Sequence, residues 1–143
     1  MNHQENCRDS RIKITSTVFE CVRATANSVG YDLRCAHDFD IHDGDITIVG
    51  TGVFVDMPAD TYAMVCSRSG LSTNGIIVAN APGIIDPDYK QEIKVILHKL
   101  ANGPHSIKFT KGDKIAQLVF AKTVIADDIA KGERIGGLGS TGM

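Results

Sequence analysis

An all-β fold, a sandwich or barrel of short strands, is what this chain of 143 residues predicts. Three observations carry the prediction. Apolar and β-branched runs recur at short intervals, clusters of Gly, Pro, Asn and Asp separate them, and no long amphipathic helical stripe is present. Fourteen glycines suit a chain with many tight turns.

The elements follow in order. Strand-like runs cover 12–22, 31–36, 45–55 and 62–67, then 76–80, 92–100, 105–109 and 115–125. Turn signals divide them: HDGD at 42–45, MPAD at 57–60, NGP at 102–104 and KGD at 111–113. The one helical candidate is short, 70–74, with Gly75 as its stop. Many short strands with such turns indicate a sandwich or barrel rather than a helical layer. No repeat or linker divides the chain. Residues 1–129 read as one β domain, and 130–143 as a small, flexible glycine-rich tail with few core residues.

Composition narrows the function. Lys plus Arg is 15 and Asp plus Glu is 17, so the net charge of −2 gives no basic surface for nucleic acid. No run reaches the roughly 18 apolar residues of a membrane span, and MNHQENCRDSR at the N-terminus has no apolar signal core. Cys7, Cys21, Cys35 and Cys66 form no CxxC pair, and the histidines have no HExxH spacing. Reduced thiols in a cytoplasmic or other reducing compartment are the expectation.

Residues 76–97, IIVANAPGIIDPDYKQEIKVIL, are the richest segment. Two β-branched runs flank Pro82-Gly83, which reads as a hairpin, with Asp86 directly after Ile84 and Ile85 and Tyr89 three positions on. A carboxylate held against apolar residues is costly without a task or a partner. An acid and an aromatic near the base of a hairpin can hold a flat ring and activate a water beside it. Turn chemistry is the plainer use of Asp86-Pro87-Asp88. In the tail, Gly allows close backbone approach to an anion, Ser140 and Thr141 add donors, and Arg134 has a planar fork suited to phosphate. The tail is no Walker loop, because GKS/T is missing.

Five segments in order join these fragments: VGYDL at 29–33, SRSG at 67–70, NAPGIIDPDY at 80–89, GDKIAQLV at 112–119 and RIGGLGSTG at 134–142. Together they resemble the five motifs of the trimeric deoxyuridine triphosphate nucleotidohydrolase (dUTPase) family, over nearly the whole chain. The resemblance implies a jelly-roll-like β-barrel and a homotrimer with active sites shared between chains. It also implies hydrolysis of dUTP to dUMP and pyrophosphate with Mg²⁺ on the triphosphate. That reaction limits uracil in DNA and supplies dUMP for dTMP synthesis.

The resemblance also assigns roles. Asp86 matches the acid that activates the attacking water. Tyr89 matches the ring under the deoxyribose, and Asn80, Gly83 and Ile85 the uracil-reading segment. Arg68, Ser69, Gly70 and Gln117 match phosphate contacts, and Arg134, Leu138, Gly139, Ser140 and Thr141 a tail that closes over the phosphates. Asp32 matches a metal-site acid acting through water, in keeping with the few protein ligands and many waters of Mg²⁺. The plainer readings are a turn acid for Asp32, an N-cap for Ser69 and an outward strand residue for Gln117. Leu138 stands where the family usually has an aromatic. Two other classes share the fold: an enzyme related to dCTP deaminase, which typically lacks a GSTG tail, and a non-catalytic signalling protein.

Overall fold

The computed structural model describes residues 8–134. Among these residues ten strands and one short helix form in chain order. The strands are β1 (Lys13–Ser16), β2 (Tyr31–Arg34), β3 (Phe39–His42), β4 (Ile46–Asp56) and β5 (Thr61–Cys66). After helix α1 (Ser69–Ser72) come β6 (Ile76–Val78), β7 (Gly83–Ile85), β8 (Ile93–Lys99), β9 (Ser106–Phe109) and β10 (Lys114–Lys122). They build two four-stranded sheets, β1-β4-β8-β6 and β2-β10-β5-β7, with β3-β9 as a separate pair. Every named strand pair is antiparallel. This nearly all-β architecture is the jelly-roll-like barrel that the sequence suggests.

Alternation along the strands builds the core. Val49, Val53 and Val55 of β4, Ile93, Val95 and Leu97 of β8, Val65 of β5 and Leu118 of β10 all point inward and pack as one cluster. Each such side chain stabilises the fold by roughly 1.5–3 kcal/mol relative to exposure. Both main sheets contribute, so the cluster fixes how one lies on the other.

Three strand assignments change. The run at 12–22 pairs only as far as Ser16. Beyond it β4 carries a bulge between Gly50 and Val53, and Thr17 bonds the Gly52 carbonyl through both its N–H and its hydroxyl. A bulge breaks the ladder at that point. The run at 115–125 ends at Lys122, leaving Val124 and Ile125 exposed. β3 was hidden in a polar stretch and is held by β9, with Phe39 stacked on Phe109 at 4.8 Å.

The largest correction is the hairpin at 76–97. β6 pairs with β8 in one sheet, whereas β7 pairs with β5 in the other. The Pro82-Gly83 segment therefore carries the chain between sheets instead of folding it back on itself. Local sequence cannot distinguish the two cases, because both need a turn between β-branched runs. The helix also shifts: α1 has Arg68 as its N-cap, with no side-chain cap bond, and Ser69 is its first helical residue.

Candidate active site

β5 connects the candidate residues, because it lies between β10 and β7. Where it ends, Cys66 stands opposite Gln117, and Gln117 stands opposite Asp32 of β2. This register brings three of the sequence motifs side by side. The Asp32 carboxylate pairs with the Lys114 ammonium at 3.2 Å. The Arg68 guanidinium donates to the Lys114 carbonyl at 3.3 Å. Gln117 is half-buried and donates its amide to the Ser67 carbonyl at 3.0 Å. The amide has room because residue 30 is glycine: a Cβ there would lie 2.2 Å from Gln117 Oε1. Ser69 and Gly70 are exposed beside this cluster.

A second cluster forms beyond β7. Gly83 lies close against Val65 and the Asn80 amide, with an added Cβ 3.2 Å from Asn80 Nδ2. Ile85 pairs with Ala63, and the chain then turns through Asp86, whose carbonyl accepts the Tyr89 N–H at 3.0 Å. Tyr89 is buried, and its hydroxyl donates to the Glu92 carbonyl at 2.7 Å. Burial pushes the phenol pKa up. The Arg134 guanidinium donates to the carboxylates of Asp86 and Asp88, at 2.8 Å for Asp88, and lies over the Tyr89 ring. Its pKa is raised above the ordinary arginine range, chiefly by the Asp88 hydrogen bond.

Asp86 is not held against apolar residues, as its sequence surroundings suggest. Its side chain is 51% exposed, and its companion is a cation. Leu138, Gly139, Ser140 and Thr141 lie outside the described residues, as does most of the tail from 130 to 143. Lys114, Asp88, Gly30 and Ser67 were missed as partners in the two clusters. Lys114 and Asp88 lie inside quoted motifs, but only the fold brings Lys114 to Asp32 and Asp88 to Arg134.

The two clusters adjoin where Gly83 is level with Val65, but their acidic and basic ends lie apart. Ile85, just before Asp86, is level with Ala63, whereas Arg68 follows the far end of β5, a separation of up to about 17 Å at ~3.3 Å per residue. A groove of about 800 Å³, walled by Ile12, Ile14, Tyr31 and Phe120, includes neither cluster. Among the described residues no group of three or more His, Cys, Asp or Glu could hold a metal ion. Asp32 therefore belongs to no such group, and its partner in the structure is the Lys114 ammonium. Cys21, Cys35 and Cys66 are free thiols.

Comparison with known proteins shows the family. The dUTPase family model matches residues 18–141. The deoxyuridine 5'-triphosphate nucleotidohydrolase of Corynebacterium glutamicum is 41% identical over 129 residues, 84% of this chain and 85% of that protein. The Rickettsia prowazekii protein of the same name is 40% identical over 131 residues, covering 84% of this chain and 86% of its own length. Among solved structures, native EIAV dUTPase has a TM-score of 0.71 at 26% identity, covering 87% of this chain and 98% of its own. A mutant dUTPase from phage phi11 of S. aureus, whose structure describes coordination of a structural Mg(II) ion, has a TM-score of 0.74 at 18% identity. It covers 85% of this chain and 97% of its own and so supports the fold alone. With a family model spanning most of its length and relatives near 40% identity, the chain belongs to the dUTPase family, a family of nucleotide hydrolases.

Proposed function

We propose that the chain hydrolyses dUTP to dUMP and pyrophosphate at a site where the two clusters come together from different copies of the chain. The split of the candidate residues along β5 carries this reading. One end offers a carboxylate and a buried ring, and the close-packed turn at Gly83 lies between the two ends. The other end offers Arg68, Lys114, Ser69 and Gln117, a donor-rich set suited to phosphate oxygens. A homotrimer supplies both ends to each site, and the exposed Ile46, Ile48, Ile84, Val124, Ile125 and Ile129 support such assembly.

In this reading Asp86 accepts the proton of the attacking water. The water oxygen bonds to the α-phosphorus, the bond to the leaving pyrophosphate breaks, and the electron pair departs on pyrophosphate. The exposure of Asp86 leaves room for that water. Arg134 must then leave Asp86 for the phosphates, where Leu138, Gly139, Ser140 and Thr141 join it. The Tyr89 ring lies under the deoxyribose and crowds out a 2′-hydroxyl. Asn80, Gly83 and Ile85 fit closely around uracil, and a base with a donor in place of an acceptor leaves buried polar groups unpaired. Arg68, Ser69, Gly70 and Gln117 hold the phosphate chain in line.

Asp32, with the phosphate oxygens of the substrate, fits Mg²⁺ through water. When bound, Mg²⁺ offsets the negative charge of the triphosphate. A reducing compartment is the proposed setting, with limitation of uracil in DNA and supply of dUMP as the roles.

The test is incubation with dUTP, dCTP, dTTP and UTP in Mg²⁺. Pyrophosphate release from dUTP alone is expected. Ammonia release from dCTP, or no turnover of any of the four, would refute the reading.

A further inference from the structure

We propose that Ser67 is a positioning residue that sets the Arg68–Gly70 segment against the phosphate chain; this rests on the dUTPase reading of that segment. Ser67 is the first residue after β5, where the ladder with β10 has ended. Two side-chain bonds take over from the ladder. The Val78 N–H donates to the Ser67 hydroxyl at 2.9 Å, and the Gln117 amide donates to the Ser67 carbonyl at 3.0 Å. Val78 belongs to β6 in one sheet and Gln117 to β10 in the other. One residue is therefore fastened to both sheets, immediately before the arginine.

The next residue is fixed as a consequence. The Arg68 carbonyl accepts both the Ser72 N–H at 2.9 Å and the Ser72 hydroxyl at 3.0 Å. Its guanidinium reaches the Lys114 carbonyl. With Ser67 pinned before it and α1 closing after it, Arg68 has little freedom in the direction it faces. Removing the hydroxyl leaves the Val78 N–H without its acceptor and loosens one of the two fastenings. The effect falls on the phosphate end. Asp86 and Tyr89 lie further along β5, past Ile85, which is level with Ala63, whereas Asn80 follows Val78 by only two residues.

The experiment compares wild type with Ser67→Ala and Ser67→Thr. Readouts are steady-state pyrophosphate release from dUTP, calorimetric affinity for the non-hydrolysable α,β-imido analogue of dUTP, and affinity for deoxyuridine, which has no phosphate. Ser67→Ala is expected to raise KM and weaken the analogue about tenfold, the usual scale for one lost hydrogen bond to a buried partner. Deoxyuridine affinity should fall less than that of the analogue, and Ser67→Thr, which keeps the hydroxyl, should restore the analogue. Equal loss for deoxyuridine, or no restoration by Thr, would reduce Ser67 to a fold residue and overturn the proposal. If Ser67→Ala does not fold, Ser67→Cys takes its place with a weak acceptor of similar size, and the same split is expected. Wild type active on dUTP with the variants unchanged overturns this proposal alone. Wild type inactive on dUTP overturns the parent reading as well.

Discussion

The Arg134 guanidinium carbon stands 5.6 Å from the centroid of the Tyr89 ring. The ring below it is held at its far end by the Glu92 carbonyl, and the guanidinium is held at its edge by Asp86 and Asp88. A cation over an aromatic face gains about 0.5–2 kcal/mol, more as water is excluded, and Arg134 is only 14% exposed. The arginine thus lies over the ring proposed to pack under the sugar and pairs with the acid proposed as base.

Tyr89→Ala should lower the preference for dUTP over UTP. In the proposed pose the ring fills space that a 2′-hydroxyl would need, and it is also the platform under Arg134. The ratio of kcat/KM values for the two nucleotides is the measurement, and an unchanged ratio removes Tyr89 from sugar discrimination.

Asp86→Asn should leave nucleotide binding close to wild type and reduce kcat about 10²–10⁴-fold, the range for loss of a general base. Asn keeps the shape and a hydrogen bond to Arg134 but cannot take the proton. Near-normal turnover in this variant would assign the base elsewhere.

Mixing should rescue two dead variants. Asp86→Asn and Arg68→Ala damage opposite ends of β5, so each is expected to be inactive alone. If each site joins the two ends from different chains, random reassembly leaves roughly a quarter of the sites intact. Unfolding, mixing and refolding the pair should therefore return about that share of activity. No recovery would place both ends of a site in one chain.

Gly30→Ala should harm activity more than stability. The new methyl would clash with Gln117 Oε1, and that flexible side chain can swing aside with a Tm loss of only a few degrees, ~2–4 °C per kcal/mol. Swinging aside breaks its bond to the Ser67 carbonyl, so kcat/KM should fall about tenfold. The double variant with Gln117→Ala should lose little more than Gln117→Ala alone, since both act through one contact. Full additivity in that cycle would count against the contact.

Acid should destabilise the fold through paired carboxylates. Hydrogen bonds from His105 first, then Lys99, hold the Asp43 pKa below the usual carboxylate range, and Arg11 does the same for Asp9 and Asp60. A pKa lower in the folded state contributes stability that is complete above the unfolded value of about 3.9 and is lost as pH falls through the folded one. The denaturation midpoint should be level from these groups near pH 5–6 and drop below about pH 4. Asp43→Asn should make that drop shallower, which urea titrations at several pH values can read.

The sequence alone determined what is local or repeated. Strands such as β4, β5, β8 and β10 were legible because one inward and one outward face impose a period of two on the chain. The five motifs, read in order, identified the family. Tertiary structure decided what depends on partners distant in sequence. Lys99 is an example: it occupies an inward position in β8 and is fully buried. It is tolerated there only because Asp43 and the carbonyls of Leu100 and Asn102 accept all three of its protons. The destination of the chain after β6 is another. Residues 79–82 read equally well as a hairpin turn or a crossing between sheets, and the choice falls to β7 finding the free edge of β5. The same crossing puts Asp86 and Tyr89 at one end of β5 while the β2–β10–β5 register gathers Asp32, Gln117 and Arg68 at the other. Residue identity supplies the chemistry of each group, but separation along a sheet is set by hydrogen-bond register between distant strands, which no short stretch of sequence contains.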